Sequence, residues 1–405
     1  MKFNLHLSAA RSDAEAGSRL AAVKADEDGI EAMAPKLRHY CAKLEAVPAP
    51  AATVIKERML MLGGEAAVSG EVYAGGSGPT DVLLMGTAAQ LRALGGKLMG
   101  QGPGLEELAA DLAVFLDRVE RRVFTVPTPR GELALGKAPV LMGIVNCTPD
   151  SFYDGGRHFD QDAAIRRGLT LLEAGAGIVD VGGESTRPGS DAVSDDEESR
   201  RVLPVIERLA AEPDALISID TVKPAVARRA MEAGAAMIND VSALTDPEMA
   251  RAAADTGAAL VLMHMRGTPK TMQQDPHYDD LFGEIIAYLA LRMERAMAAG
   301  VHEESIIVDP GIGFGKTVAH NLELIRDLWR LRTLGRPILL GHSNKSYIGA
   351  VLNADKDDRF EGTAASLVAG IMSGAQIVRV HDVKGMRRYA EMAGAIQLGY
   401  NWKEP

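Results

Sequence analysis

Polar side chains recur in the second half of the sequence at points where short apolar runs end. The segment 175–179 is apolar and rich in glycine, as expected of a buried strand, and the polar segment 180–189 follows it directly. The carboxyl ends of parallel strands meet at one edge of a sheet, where α/β enzymes build their active sites. We therefore expect the residues at these strand ends to lie close together: Asn146, Asp180, Asp220, Asn239, Asp309, Lys345, Arg379 and His381.

The types of these side chains suit a flat heterocycle that is rich in nitrogen. A carboxylate such as Asp309 can accept two hydrogen bonds from an amidine-like edge, and Asn239 both donates and accepts. Lys345 supplies further donors. Each aspartate alone could instead cap the helix that follows it. Arg379, His381 and Asn146 are suited to bind an anionic group, and Thr186, Arg187 and the segment Pro188-Gly189 are expected to close over it.

Three further segments bear on this site. The segment 310–317 nearly matches the phosphate-binding pattern G-x-x-x-x-G-K-S/T, but Pro310 replaces the first glycine and lacks an N–H. A nucleoside triphosphate site is therefore not expected, and we predict that a planar ring approaches the bare backbone beside Phe314. The loop 146–156, which carries Phe152, is predicted to cover the first strand. Ser346 either holds a carboxylate at a helix N-terminus or caps that helix.

Composition excludes several classes of function. The chain has 405 residues, of which 47% are hydrophobic and 24% charged, and its net charge of −11 argues against a nucleic-acid partner. Its two cysteines, Cys41 and Cys147, lie far apart, which favours a reducing cytoplasm over a disulfide framework. No apolar run approaches the roughly 20 residues of a membrane helix. The histidines show no zinc-binding spacing.

The chain divides into two parts of different texture. Residues 1–124 are predicted to form a small α/β domain that is mostly helical, with one strand at 81–86 and no catalytic constellation. Residues 125–138 are predicted to form a linker with a hairpin around Arg130-Gly131. Strands and helices alternate across 139–405, which predicts a TIM (β/α)8 barrel, with an open doubly wound sheet as the alternative. The strands are expected near 140–146, 177–182, 215–219, 236–240, 258–264, 305–309, 337–341 and 375–381.

Taken together, these motifs resemble those of the dihydropteroate synthases, over about residues 126–400. The family's fold is a TIM barrel, in agreement with the alternation of elements. Several separate motifs occur in the right order, which makes the resemblance specific. They lie at 142–152, 180–189, 218–221, 238–240, 265–273, 309–316, 345–346 and 379–381.

The resemblance implies an activity and a set of substrates. Members of this family condense a hydroxymethyl-dihydropterin diphosphate with p-aminobenzoate and release pyrophosphate with the help of Mg²⁺. By motif, Asn146 would touch the metal. The resemblance further implies that the pterin is held by Asp220, Asn239, Asp309 and Lys345, with Asp180 and Phe314 beside it. The diphosphate would be bound by Asn146, Thr186, Arg187, Arg379 and His381. The p-aminobenzoate would be bound by Phe152, Arg187, Pro188 and Ser346.

The chemistry suggests a dissociative substitution. Diphosphate leaves a CH₂ group attached to an electron-rich ring, so Asp220 and Asp309 would stabilise a cationic pterin. Asp220, Asp309, Lys345 and Arg187 are the expected catalytic residues. A homodimer is expected, and the N-terminal domain is interpreted as a structural or dimer-supporting module.

The sequence departs from the family pattern at one position, and two other functions compete with the one that the resemblance implies. The family usually has an arginine immediately before the pterin lysine, whereas this chain has Asn344. A corrinoid-dependent methyltransferase would need the pterin contacts but neither the diphosphate grip nor the aniline pocket. A non-catalytic pterin-binding protein is the third hypothesis.

Overall fold

The chain forms two compact units, Met1–Glu120 and Arg121–Pro405. The computed structural model describes residues 6–10, 12–148, 161–184, 193–268 and 271–399. Within these ranges, no helix combines the length and the apolar character needed to cross a membrane.

The first unit is a three-stranded antiparallel sheet with helices around it. The strand order is β1-β3-β2, so β3 is central and pairs with both neighbours. Ile55, Leu84 and Leu116 are fully buried in its core. The elements are α1 (Asp13–Ala22), α2 (Glu27–Met33), a 3-10 turn (Ala34–Lys36), β1 (His39–Pro48), α3 (Ala49–Met61), β2 (Glu65–Val68), α4 (Gly70–Tyr73), β3 (Pro79–Thr87), α5 (Ala88–Leu98) and α6 (Pro103–Glu120).

The prediction of a single strand in this part was wrong, because β1 and β2 were not recognised. Both are edge strands, and most of their side chains are exposed or only partly buried. An edge strand lacks the run of apolar residues that marks a buried strand, so β3 alone carries the clear signal.

Ion pairs of a buried arginine also stabilise this unit. The side chain of Arg38 is 7% exposed, and its guanidinium pairs with Asp13 and Glu120 at 2.5 and 2.7 Å.

The second unit is an eight-stranded parallel barrel with helices between the strands. Its strands are β6 (Val140–Asn146), β7 (Ile178–Gly182), β8 (Ile217–Asp220), β9 (Met237–Asp240), β10 (Ala259–Met263), β11 (Ile306–Asp309), β12 (Leu339–Leu340) and β13 (Ile377–Val380). Its helices are α7 (Gln161–Glu173), α8 (Asp195–Ala210), α9 (Pro224–Glu232), α10 (Glu248–Thr256), α11 (Leu281–Ala298), α12 (Val318–Arg326), α13 (Ser346–Leu352), α14 (Phe360–Met372) and α15 (Val383–Leu398), with 3-10 turns at Glu303–Ser305 and Leu328–Leu334.

The strand order shows that the sheet closes on itself. The order is β11-β10-β9-β8-β7-β6-β13-β12, and a parallel bridge between Val308 and Ile338 joins its two ends. The predicted barrel is therefore confirmed, and the open doubly wound sheet is excluded because such a sheet has two unpaired edges. The observed strands fall on the eight predicted ones, although β12 is only two residues long.

A hairpin precedes the barrel and packs against one end of its interior. Strands β4 (Phe124–Thr128) and β5 (Gly131–Leu135) pair antiparallel. Their side chains Phe124 and Leu135 belong to one buried cluster with residues near the start of the barrel strands, among them Met142, Ile178 and Ile307. This apolar cluster fills the amino-terminal end of the barrel, so a polar site can form only at the opposite end.

The strand register places the polar residues on the inner face at that opposite end. Asp180 of β7 is level with Ser218 of β8, and Asp220 is level with Asn239 of β9. Side chains alternate between the two faces of a strand. Since Ile178 points into the barrel, Asp180, two residues further on, points inward as well.

Candidate active site

An arginine at the end of β13 binds two carboxylates at the mouth of the barrel. Arg379 Nε donates to Asp180 Oδ2 at 2.6 Å, and its Nη2 donates to Asp220 Oδ2 at 2.7 Å. Asp180 is fully buried, and the Asp220 side chain is 14% exposed. Burial alone would lower the pKa of Arg379, but the two carboxylates outweigh burial and raise it, so the guanidinium stays charged. These two ion pairs therefore connect three strands of the barrel: β7, β8 and β13.

Asn239 and Asp309 extend this polar layer across the barrel. Asn239 Nδ2 donates to Asp180 Oδ2 at 3.1 Å, so one carboxylate oxygen accepts from both an amide and a guanidinium. Asp309 is 5% exposed, and its Oδ1 accepts from Gly311 N at 2.7 Å. The inner face at this end of the barrel therefore carries three acidic groups and one amide.

The segment after β11 forms a wall of bare backbone. Gly311 has φ +69°, and a Cβ atom there would lie 2.0 Å from His264 O, so only glycine fits. Phe314 lies beyond it, with Lys345 Nζ 4.1 Å from the centre of its ring. Gln273 Nε2 donates to Gly313 O at 2.7 Å and holds the segment from outside. Gly311 and Gly315 are buried and Gly313 is partly buried, so the approach of a planar ring to this backbone beside Phe314 stays a prediction.

Burial raises the pKa values of two carboxyl groups of the site towards neutral pH. It raises the pKa of Asp220 to about 7, with Arg379 opposing the rise and Asp180 adding to it. It also raises the pKa of Asp309 to about 6, against the Gly311 N–H and the charge of Lys345. Carboxyl groups with pKa values in this range respond to the charge of whatever enters the pocket.

The lysine of the site is shifted in the opposite direction. The pKa of Lys345 is lowered to about 8. Burial and the charge of Arg379 lower it, and the charges of Asp309 and Asp220 oppose them. The ammonium form still dominates at neutral pH. Lys345 is therefore a donor and a cation beside the two acids.

His381 lies at the same rim, one residue after the end of β13. Its ring Nδ1 is 3.0 Å from Ser343 Oγ, and its backbone N–H donates to the same oxygen at 3.3 Å. Arg167 donates to the backbone carbonyl of His381. Ser343 and Arg167 thus fix the position of a histidine that was predicted to bind an anion.

A family model described as "Pterin binding enzyme" matches residues 142–381. That range begins at Met142 within β6, includes β7 to β13 in full, and contains every residue of the polar layer. The chain belongs to this family.

The curated relatives carry a more specific name. Dihydropteroate synthase of Escherichia coli (strain K12) is 47% identical over 246 residues, which cover 61% of this chain and 87% of that protein. A probable bifunctional folylpolyglutamate synthase/dihydropteroate synthase of Halobacterium salinarum is 42% identical over 348 residues, 86% of this chain and 42% of that protein. A match of that length is longer than the second unit and must extend into the first.

Solved structures agree with the barrel and with the family. Dihydropteroate synthase of Xanthomonas albilineans in complex with 7,8-dihydropteroate superposes with a TM-score of 0.60 at 41% identity, covering 67% of this chain and 99% of that one. The same enzyme with 4-aminobenzoic acid gives a TM-score of 0.61 at 45% identity, covering 65% and 96%.

The structure brings together most of the family residues that the sequence predicted. Asn146 ends β6, and its register partner is Gly182 at the end of β7. Ser346 is the first residue of α13 and is exposed. Four predicted residues lie outside the described residues: Phe152, Thr186, Arg187 and Pro188.

The departure at Asn344 has a structural basis. Its φ is +56°, a left-handed conformation that asparagine tolerates better than most residues. Its N–H donates to Thr363 Oγ1 at 3.2 Å, and its carbonyl accepts from Arg359 Nη1 at 3.0 Å. A guanidinium thus lies against this turn, but it comes from the residue before α14.

Sequence reasoning missed three buried residues near the site. Ser218 is fully buried on the inner face of β8, and Lys316 and His264 are 2% and 5% exposed. Asp240 was also read only as part of a motif: it accepts from Ser242 N and Leu244 N and so shapes its own loop. Lys316 carried a usable signal, because a lysine in a glycine-rich segment needs a partner if it is buried.

The carboxylates do not form a preformed metal cage. Across the described ranges, no group of three or more His, Cys, Asp or Glu side chains is arranged to hold a metal ion.

We predict that Arg379→Met lowers stability in a pH-dependent manner. Removing one partner of a buried ion pair costs about 3–5 kcal/mol, since the remaining charges are left uncompensated. The pKa of Asp220, already raised to about 7, rises further in the variant. Because a protonated carboxyl needs no counter-charge, the loss of stability should be larger at about pH 8 than at about pH 5.

Thermal unfolding at both pH values measures this effect. Arg228→Met is the control, because Arg228 pairs with Asp255 on the surface at 2.8 Å, where such a pair contributes at most about 1 kcal/mol. A loss of equal size at both pH values would contradict the assignment of Arg379 as the counter-charge.

Proposed function

We propose that this chain is a dihydropteroate synthase, which joins 6-hydroxymethyl-7,8-dihydropterin diphosphate to p-aminobenzoate and releases pyrophosphate. The observation that carries the proposal is the single polar layer at the barrel mouth, in which Arg379 and Lys345 face three buried carboxylates. Family membership and relatives near 45% identity support it.

The inner face offers the groups that a pterin ring requires. Asp309 Oδ1 is engaged by Gly311 N, and the rest of that carboxylate accepts from the ring's N–H edge. Asp180 Oδ1 and Ser218 Oγ are buried and have no hydrogen-bond partner among the described residues. A ligand with several N–H donors satisfies such atoms, whereas an apolar ligand would leave them unpaired. Phe314 and Lys345 form the adjacent wall.

The reaction is proposed to be a dissociative substitution. The C–O bond between the methylene and the diphosphate breaks with both electrons on oxygen, and positive charge spreads into the pterin. Asp220 and Asp309 lie where that charge develops and stabilise it. The aniline nitrogen then attacks the methylene carbon and loses a proton, a step that needs no strong base.

The diphosphate is proposed to lie at the rim formed by β6 and β13. Arg379 and His381 come from β13 and the residue after it, and Thr186 and Arg187 are assigned to the same role by motif. His381 is held by Ser343 at 3.0 Å, which orients its ring. Arg187 is also proposed as a catalytic residue that stabilises the leaving group.

Mg²⁺ is proposed as the cofactor, with Asn146 as its protein ligand. Mg²⁺ is commonly bound through one or two protein oxygens, with substrate phosphate oxygens and water completing the octahedron. Asn146 supplies an amide oxygen at the end of β6, and the diphosphate of the substrate supplies phosphate oxygens beside it. When bound, the ion neutralises charge on the departing diphosphate.

The p-aminobenzoate site is proposed to lie beside Ser346. This residue is exposed at the start of α13, directly after Lys345. Phe152, Arg187 and Pro188 complete the site by motif. The left-handed turn at Asn344, braced by Arg359, positions Lys345 and Ser346 for the two substrates.

The two alternatives are not favoured. The relatives of Escherichia coli, Synechocystis sp. and Bacillus subtilis, which are 44–47% identical, are named dihydropteroate synthase, and this favours that activity over a methyltransferase. A non-catalytic role is opposed by the presence of Asp220, Asp309 and Lys345 together in the polar layer.

A homodimer is also proposed, on the basis of exposed apolar side chains on the outer helices. Tyr389, Met392 and Ile396 are exposed and share one face of α15 through their spacing. Phe360, at the start of α14, packs against Tyr389 with ring centres 6.2 Å apart. Such a contiguous apolar surface is typical of a subunit interface.

The dimer proposal predicts a mass twice the 43.0 kDa of one chain by size-exclusion chromatography with light scattering. Ile396→Glu should shift the protein to the monomer, because it places a charge on the apolar face. Leu291→Glu is the control, since Leu291 is equally apolar and exposed but lies on α11. A monomeric wild type, or dissociation by both variants, would rule out this face.

The activity is tested by pyrophosphate release with purified protein and Mg²⁺. Release should require the pterin diphosphate and should be fastest with p-aminobenzoate present. Without the amine, a dissociative path still releases pyrophosphate slowly, with hydroxymethyl-dihydropterin formed as water traps the cation. Release that depends strictly on the amine would contradict the dissociative path, and no release with both substrates would refute the function.

The division of the pocket predicts separable effects of two variants. Asp309→Ala should weaken pterin binding by at least about tenfold, the loss expected for a charged hydrogen bond. Ser346→Ala should raise the KM for p-aminobenzoate and leave pterin binding within about twofold. Calorimetric titration with each ligand measures both, with Asp246→Ala on the surface as control. Equal effects on both ligands would refute this division.

A further inference from the structure

A buried lysine behind the proposed pterin pocket has no part in the reaction described above. Lys316 is 2% exposed and ends the glycine-rich segment that follows β11. A lysine is rarely buried to this degree without several partners. Its position and contacts therefore need a functional explanation.

The amine of Lys316 ties two segments of the pocket wall together. Its Nζ is 2.9 Å from His264 Nδ1, 3.0 Å from Phe314 O and 3.5 Å from His264 O. In its ammonium form Lys316 has three N–H donors, one for each of these acceptors. The segment carrying Phe314 is thus fastened to the end of β10.

His264 is held so that it can only accept from Lys316. It is 5% exposed, and its ring packs edge-on against Tyr288 with centres 4.9 Å apart. Burial and, to a smaller extent, the neighbouring charge of Lys316 lower the pKa of His264 to about 2. The ring is therefore neutral, and its Nδ1 accepts from the ammonium form of Lys316.

The same amine faces the charged groups of the proposed site. Asp309 and Lys345 both act on it: burial lowers the pKa of Lys316 to about 7, Asp309 opposes this, and Lys345 adds to it. In return, Lys316 is one of the cations that lower the pKa of Asp309 against burial. The backbone N–H of His264 also donates to Asp309 O at 2.9 Å.

We infer that Lys316 and His264 form a positioning pair for the pterin pocket. Lys316 fixes the Phe314 carbonyl, and with it the ring that lies beneath Lys345, and it helps keep Asp309 ionised so that the carboxylate accepts from the pterin. This inference rests on the proposed pterin-binding function. Neither residue touches the substrate.

Lys316→Met tests the pair, because methionine keeps the length and apolar stem and removes both the charge and the donors. The probe is 6-hydroxymethyl-7,8-dihydropterin without diphosphate, titrated calorimetrically from about pH 5 to about pH 9. We expect pterin affinity at about pH 8 to fall by about tenfold. The KM for p-aminobenzoate should stay within about twofold.

The pH dependence distinguishes positioning from a merely structural role. Pterin affinity of the wild type should decline as pH falls through the pKa of Asp309, near about 6. In Lys316→Met this acidic decline should begin about one pH unit higher, because a nearby cation has been lost. Lys316→Arg, which keeps the charge, should leave the decline where it is in the wild type.

The outcome that overturns the inference is also defined. A decline at the wild-type pH in Lys316→Met, or equal losses for pterin and p-aminobenzoate, would make Lys316 a residue of stability alone. Lys97→Met, at an exposed position on α5, is the control for loss of a lysine. The activity and the pterin affinity of the wild type, measured in parallel, test the proposed function independently of the role of Lys316.

A second pair of variants covers the case in which Lys316→Met does not fold. His264→Gln keeps an acceptor for the amine, whereas His264→Leu removes it. We expect pterin affinity to fall at least about threefold more in the leucine variant than in the glutamine variant. Equal affinities in the two variants would overturn the inference.

Discussion

The ion pairs of Arg379 are the interaction on which the rest of the site depends. Asp180 and Asp220 lie on neighbouring strands at the same end of the barrel, and two buried carboxylates repel each other unless a cation separates them. Arg379 supplies that cation from β13, which is separated from β7 by β6 in the strand order. The acids of the pocket can be concentrated there because this guanidinium neutralises them in part.

The barrel separates this charged layer from an apolar one. The β4–β5 hairpin and the first residues of the strands fill the amino-terminal end with Phe124, Leu135, Met142 and Ile178. Water is excluded from this apolar cluster, and the acidic side chains Asp180, Asp220 and Asp309 lie nearer the carboxyl ends. Desolvation is strong enough to bring the pKa of Asp220 to about 7 and that of Asp309 to about 6. Carboxyl groups with such pKa values can stabilise positive charge on a ring and can change their protonation state when that charge leaves.

The glycine-rich segment after β11 provides the remaining wall. Gly311 and Gly315 both have positive φ, and their backbones approach His264 and Arg266 so closely that a side chain would collide. This close approach leaves Phe314 to project beside Lys345 and buries Lys316 behind it. A pattern that resembles a nucleotide-binding loop thus serves here to shape a flat wall, with a buried amine holding it in place.

The sequence by itself determined the barrel and most of the polar layer. A strand buried on both faces is an apolar run with a polar residue at or near its end, so Asn239 and Asp309 were visible in the chain as strand ends. Asp180 follows the predicted run 175–179 but lies in the middle of β7. The two edge strands of the first unit were not, because exposed edges carry no such run.

Only the tertiary structure decided how the polar residues are paired. Arg379 and Asp220 are 159 residues apart, and nothing local in the sequence shows that they meet at 2.7 Å. The bond between Lys316 and His264 likewise spans 52 residues. Such contacts depend on barrel closure and strand register, which bring the ends of distant strands together, and a local sequence pattern carries no information about either.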